Sequence, residues 1–109
     1  MENQFHHHLI VAITTEGYSD LVMDAARSAG AAGGTILRAR GTGREKDQKF
    51  FGMSLASEKE AILIACKGDD RDASMQAIID STGRSSEAHT ICFSLPIDQI
   101  AGMKLLEDK

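Results

Sequence analysis

Leu9 to Thr15 is a short apolar run rich in β-branched residues, and it predicts a buried strand. Gly17-Tyr18-Ser19 breaks the run, and Ser19 or Asp20 is placed to cap the element that follows. There Leu21, Val22, Ala25, Ala26 and Ala29 recur at helical spacing until Gly30 supplies a stop. Ala32-Gly33-Gly34 turns the chain into a second strand, Thr35 to Arg40, which Gly41-Thr42-Gly43 ends. Arg44 to Lys49 is charged and aperiodic, a loop. Phe50 to Leu55 continues that strand's partner or starts a hairpin return. After the polar Ser57 to Glu60, Ala61 to Cys66 is a continuous apolar run and reads as a central strand covered on both faces. Gly68-Asp69-Asp70 interrupts it. Asp70 or Asp72 caps a second helix, which carries Met75, Ala77, Ile78 and Ile79 and ends at Thr82-Gly83. Arg84 to His89 is a second polar loop. Thr90 to Leu95 is the last strand, closed by Pro96. Beyond Ile97 the apolar residues Ile100, Met103, Leu105 and Leu106 follow no clear period, and that tail reads as a short helix or strand packed on a neighbour.

The predicted order is β-α-β-β-α-β. Two βαβ halves joined by a hairpin define an α+β, ferredoxin-like sandwich: a four-stranded antiparallel sheet with two helices on one face. The other face stays open. A small sheet with one apolar face uncovered gains by associating with copies of itself.

Composition narrows the picture. The chain has 109 residues, room for one core, so residues 1–109 read as a single domain. Apolar residues make up 42%, too many for a disordered chain. The net charge of −4 speaks against nucleic acid as a partner. Against that acidic background Arg38, Arg40, Arg44, Lys46 and Lys49 form a local cluster of cations. Cys66 and Cys92 lie inside apolar runs and read as small buried hydrophobes in a reducing compartment. No stretch is long or apolar enough to enter a membrane, and the N-terminal pattern is not that of a signal peptide, so a cytoplasmic location is expected.

Candidate chemistry concentrates between Gly30 and Arg44. Gly30, Gly33 and Gly34 are fold-makers: the first suits a left-handed helix cap, and the pair allows a tight reversal onto the sheet. They end a helix and precede a strand, the reverse of the order a dinucleotide-binding fingerprint needs. Gly41-Thr42-Gly43-Arg44 is different. It closes a strand, exposes backbone N–H groups at a turn and sets an arginine beside them, which suits an anion such as phosphate. His6-His7-His8 carries metal-ligating imidazoles, but consecutive strand residues alternate faces, and an edge or flexible N-terminus is the simpler reading. His89 lies near Glu87 without a visible nucleophile; neither Ser85 nor Ser86 is marked as activated. Met23, Met53, Met75 and Met103 read as core or interface filler.

Gly30-x-x-Gly33-x-Thr35-x-x-x-x-x-Gly41-x-Gly43-Arg44 resembles the stretch of nitrogen-regulatory P-II signalling proteins that leads from the first helix through the second strand into the T-loop. Asp72 to Gly83 is similar to that family's second helix, and Phe93 to Ile97 to its last strand. The resemblance implies a homotrimer that holds ATP or ADP between subunits, binds no metal cofactor and is not an enzyme. Such proteins regulate transporters, metabolic enzymes or transcription factors by contact. By position it implies that Gly41, Gly43, Arg44 and Glu45 line one side of the ligand site, and Thr82, Gly83 and Arg84 the other. The chain also departs from the family pattern. Its loop from Arg44 to Phe51 is short and lacks tyrosine, so uridylylation is not expected. Glu45 stands where the family has glutamine, Arg84 to His89 has no glycine, and the C-terminal arginine pair is missing. Two alternatives follow from these departures and from the fold: a protein-binding or assembly module with a lapsed nucleotide site, and a metal-binding tolerance-type protein.

Overall fold

The computed structural model describes residues 6–41, 49–50, 53–54 and 57–102. Its elements are β1 (His7–Thr15), α1 (Ser19–Ser28), β2 (Thr35–Gly41), β3 (Lys49–Phe50), β4 (Met53–Ser54), β5 (Ser57–Lys67), α2 (Gly68–Thr82) and β6 (Ile91–Ile97). Four of the strands form one antiparallel sheet in the order β2-β5-β1-β6. The pair β3 and β4 makes a separate two-stranded ladder. This is the βαββαβ sandwich that the hydrophobic pattern predicts.

The two faces of the sheet are set by the period of two along each strand. In β1 the positions His8, Ile10, Ala12 and Thr14 are buried, and the alternate positions are only half-buried. Across the register Ile10 meets Ile64, and Ala12 meets Ile62. These side chains form the core with Cys66 of β5, Val22, Met23 and Ala26 of α1, and Ile78 of α2. Burying each large aliphatic side chain contributes roughly 1.5–3 kcal/mol. A slip of one residue in β1 would exchange the whole set for the other face.

That other face is apolar and uncovered. One cross-strand row is Phe93–Val11–Leu63–Thr35, and the next is Ile91–Ile13–Ala61–Leu37. Leu95–Leu9–Ala65 makes a third. Leu37, Ile91, Phe93 and Leu95 are each at least 45% exposed. Ala61 to Cys66 is therefore central, as its sequence predicts, but among the described residues it is covered by helices on one face only. An unbroken apolar run cannot tell a cover supplied by its own helices from one supplied by a neighbouring molecule.

Several boundaries differ from the sequence expectation. Neither Ser19 nor Asp20 caps α1; Tyr18 is the capping residue and makes no side-chain cap bond. Nor do Asp70 and Asp72 cap α2, which starts directly from β5 at Gly68, with Asp69 and Asp70 in its first turn. There the two carboxylates favour the positive end of the helix dipole from inside the helix. The last strand runs through Pro96 to Ile97, because β6 is an edge strand and a missing N–H there breaks no ladder bond. The histidine run is not at an edge: His7 and His8 open the central strand β1, and His8 is buried. Cys66 is buried as expected, whereas Cys92 is only half-buried. Within the stretch from Phe50 to Leu55, Phe50 pairs with Met53 in the small β3–β4 ladder, and Phe51, Gly52 and Leu55 lie outside the described residues.

Glycines at the first turn divide by need. Gly30 sits at φ +116°, so it is the left-handed stop that the sequence predicts. A Cβ at Gly34 would stand 3.0 Å from the Leu63 carbonyl oxygen, so this glycine lets the chain close onto β5. A Cβ at Gly33 would meet nothing within 4 Å, so the tight reversal needs only the second of the pair.

Candidate functional site

Gly41 is the last residue of β2 and lies opposite Ser57, the first residue of β5. A Cβ on Gly41 would press on the Lys59 side chain at 3.2 Å, so glycine keeps this strand end open beside a lysine stem. The strand before it is laced to its neighbours by charge. Arg40 lies 3.6 Å from the Glu58 carboxylate across the register, and Arg38 donates to Glu16 at 3.3 Å. Gly43, Arg44 and Glu45, the remainder of the predicted first half-site, lie outside the described residues.

The second half-site follows α2. Thr82 is fully buried, and its hydroxyl donates to the Ile78 carbonyl at 2.7 Å. Its own carbonyl accepts the Thr90 N–H at 2.8 Å. Gly83 is buried as well, with its N–H donating to the Ile79 carbonyl at 2.9 Å. Both residues therefore shape the loop and keep their donors inside the protein. Arg84 is exposed and is the residue of this trio that offers a side chain to solvent.

The loop from Arg84 to His89 is held without a glycine of its own. The Ser86 and His89 N–H groups donate to the Gly83 and Ser86 carbonyls at 3.0 and 3.2 Å, and the Ser86 hydroxyl accepts the Ala88 N–H at 2.9 Å. His89 takes φ +50°, the left-handed position that a glycine would otherwise fill. The end of β1 fastens the loop from below. The Thr15 N–H and hydroxyl donate to the Ala88 carbonyl at 3.1 and 2.9 Å, and the Thr90 hydroxyl donates to the buried Thr14 oxygen at 2.8 Å. Tyr18 donates its hydroxyl to Glu87 at 3.2 Å, which pushes that phenol up from its ordinary pKa. Thr14, Thr15, Tyr18 and Thr90 are structural residues of the site that the motif reading missed. A threonine pair closing an apolar strand was the available signal.

Sheet order decides how the halves relate. β1 and β2 both run antiparallel to β5, so Thr15 and Gly41 lie at one end of the sheet, and the start of β6 lies there too. The loop after α2 is tied to that same end through Thr15 and Thr90. Yet β2 and β6 are opposite edges of the sheet. Three strand spacings, about 14 Å in all, separate them. One chain thus presents Gly41 and the loop after α2 at one end of the sheet but toward two different sides.

The other candidates are not brought together. Among the described residues no three His, Cys, Asp or Glu side chains form a group able to hold a metal ion. His7 and His8 project to opposite faces of the sheet. Ser86 serves the loop turn, and His89 is exposed at its positive φ. Burial, with the Asp70 charge adding to it, pushes the Cys66 thiol up to about 11, so it is a packed hydrophobe and no nucleophile. An open groove of about 370 Å³ between α2 and β6 is lined by Asp72, Met75, Gln76, Ile79 and Cys92 and contains none of the predicted site residues. No described helix is long and apolar enough to cross a membrane.

These features define an α+β sandwich with an apolar sheet face and, at one end, the close of β2 and the loop after α2. The chain belongs to the nitrogen regulatory protein P-II family, whose sequence pattern matches residues 7–105. Its fold is similar to that of Arabidopsis thaliana PII in a crystal structure with bound citrate. That likeness has a TM-score of 0.61 and 21% sequence identity, and it covers 86% of this chain and 77% of the other. Among curated protein sequences none matches this chain.

Proposed function

We propose that this chain is a P-II-type regulator: a cytoplasmic homotrimer that senses an adenine nucleotide at the clefts between subunits and controls a partner protein by contact, without catalysis. The observation that supports the reading is the separation of Gly41 and the loop after α2 toward opposite edges at one end of the sheet. Such an arrangement is completed when the β2 edge of one copy meets the loop after α2 of the next. The uncovered apolar face supports the same assembly, since three copies packed on it would bury Val11, Leu63 and Phe93 away from water.

In this reading Arg44 and Arg84 neutralise phosphate, and the backbone N–H groups at Gly41 and Gly43 donate to it. Glu45 follows Arg44 in sequence, and Thr82 and Gly83 hold the loop that carries Arg84. The charged stretch from Arg44 to Lys49 is the surface offered to the regulated protein, a transporter or a metabolic enzyme. Calorimetric titration with adenine nucleotides tests the ligand. Heat saturating at millimolar or lower concentration is expected, with protection against thermal unfolding that Arg44→Ala abolishes.

A second reading keeps the fold and the trimer but not the ligand: an assembly or protein-binding module with a lapsed site. The internally engaged donors of Thr82 and Gly83 favour it, together with the carboxylate at Glu45. Titrations without heat, and an Arg44→Ala variant that melts like the parent, would decide for this reading.

A further inference from the structure

Resting on the nucleotide reading above, we infer that Thr15 is a positioning residue of the ligand site: through the Ala88 carbonyl it holds the loop after α2 in a strained shape that sets where Arg84 stands. The inference starts from His89. Its φ of +50° is a left-handed conformation that a residue with a side chain keeps only where its surroundings impose it. Both of its chain neighbours are fastened. On one side Ala88 is fully buried, and its carbonyl accepts the Thr15 N–H at 3.1 Å and the Thr15 hydroxyl at 2.9 Å. On the other side Thr90 donates its N–H to the Thr82 carbonyl and its hydroxyl to Thr14, both at 2.8 Å.

The anchor is itself held from the opposite direction. The Glu16 N–H donates to the Glu58 carbonyl at 3.1 Å, and the Gly17 N–H donates to the Glu60 carboxylate at 3.3 Å. Arg38 of β2 donates to the Glu16 carboxylate at 3.3 Å. The turn after β1 is thus braced against β2 and β5, and from it both Thr15 and Tyr18 reach the loop, Tyr18 through Glu87. Gly83 ties the near end of the loop to α2 through the Ile79 carbonyl, so exposed Arg84 stands between two fixed points. A charge-assisted bond from arginine to phosphate needs that fixed geometry. A loop free to choose among shapes binds more weakly, in proportion to the time it spends in the competent one. Removing the Thr15 hydroxyl lets His89 relax and takes Arg84 out of register.

The test is calorimetry with ATP on the full-length protein over a range of salt, with thermal melts to check folding. Thr15→Val keeps the branched shape and the backbone bond but loses the hydroxyl. It should weaken ATP about three- to tenfold, the value of one hydrogen bond, and Thr15→Ser should restore the affinity. Because the lost contact is that of a cation with phosphate, the affinity of Thr15→Val should also fall less steeply with salt than the parent's. A role confined to stability would leave that salt dependence alone. Tyr18→Phe, which cuts the exposed bond to Glu87, should move both readings the same way by less, and it serves if Thr15→Val does not fold. ATP bound by the variants as tightly as by the parent, or more weakly with the parent's salt dependence, overturns this inference and leaves the nucleotide reading standing. No heat from ATP with the parent protein overturns both.

Discussion

His8 shows how far one side chain can depart from its sequence reading. In a run of three histidines it reads as part of a solvated terminus, yet it lies on the helix face of the central strand, 3% exposed, between Cys66 and Pro96. Burial lowers its pKa from the ordinary 6.5, and the nearby Arg71 charge lowers it further, against an opposing effect of Asp72. The consequence for stability has a definite sign. Below pH 6.5 the unfolded chain takes up a proton at His8 that the folded chain refuses until a lower pH, so stability falls as the solution is acidified. Urea midpoints measured between pH 7.5 and pH 5 should drop more steeply for the parent than for His8→Gln, in which this titration is gone. The sequence named the imidazole but not its surroundings, because burial depends on which strands flank β1.

At the scale of elements, helix and strand identities were legible and their ends less so. α1 is where its apolar spacing puts it, with Gly30 at the left-handed stop. The start of α2 was misplaced because Gly68 reads as a breaker, whereas the chain passes from β5 into the helix with no loop between. At the far end of α2 the constraint is severe. An ideal Cβ on Gly83 would stand 2.5 Å from the Ile79 carbonyl oxygen. Gly83→Ala should therefore cost more than about 1 kcal/mol in chemical denaturation, as expected where the native backbone cannot accept a side chain. Gly33→Ala is the internal comparison. With open space at its Cβ and no positive φ, it should be neutral or stabilising by up to about 1 kcal/mol. Gly83 caps α2 and Gly33 lies in the turn between α1 and β2, and the sequence alone does not rank them.

For the whole molecule the open sheet face is the dominant fact. Leu63 lies at the centre of the row Phe93–Val11–Leu63–Thr35. A charge there would have to be buried unpaired if copies pack on this face, a cost of several kcal/mol per ion. Leu63→Asp should therefore convert a trimer into monomers in light scattering while the helix signal in circular dichroism is kept. A trimer that survives the change would place the contact elsewhere. The site divides along the same line. Gly41 and Arg84 are candidates that come from a motif and a family resemblance. That they belong to different edges of the sheet could not be read from spacing, because strand order is not written in the chain's linear pattern.

What the sequence determined by itself was local and periodic: where apolar residues alternate in twos, where they recur in helical spacing, and where Gly30 must stop a helix. Those patterns are enough for the βαββαβ order, since each follows from backbone geometry within a few residues. The tertiary structure decided the rest. It set β2 and β6 at opposite edges, buried His8, engaged the donors of Thr82 and Gly83 inside the protein and left Leu37 and Phe93 exposed. Each of these depends on contacts between residues far apart in the chain, and only closing the sheet brings them together.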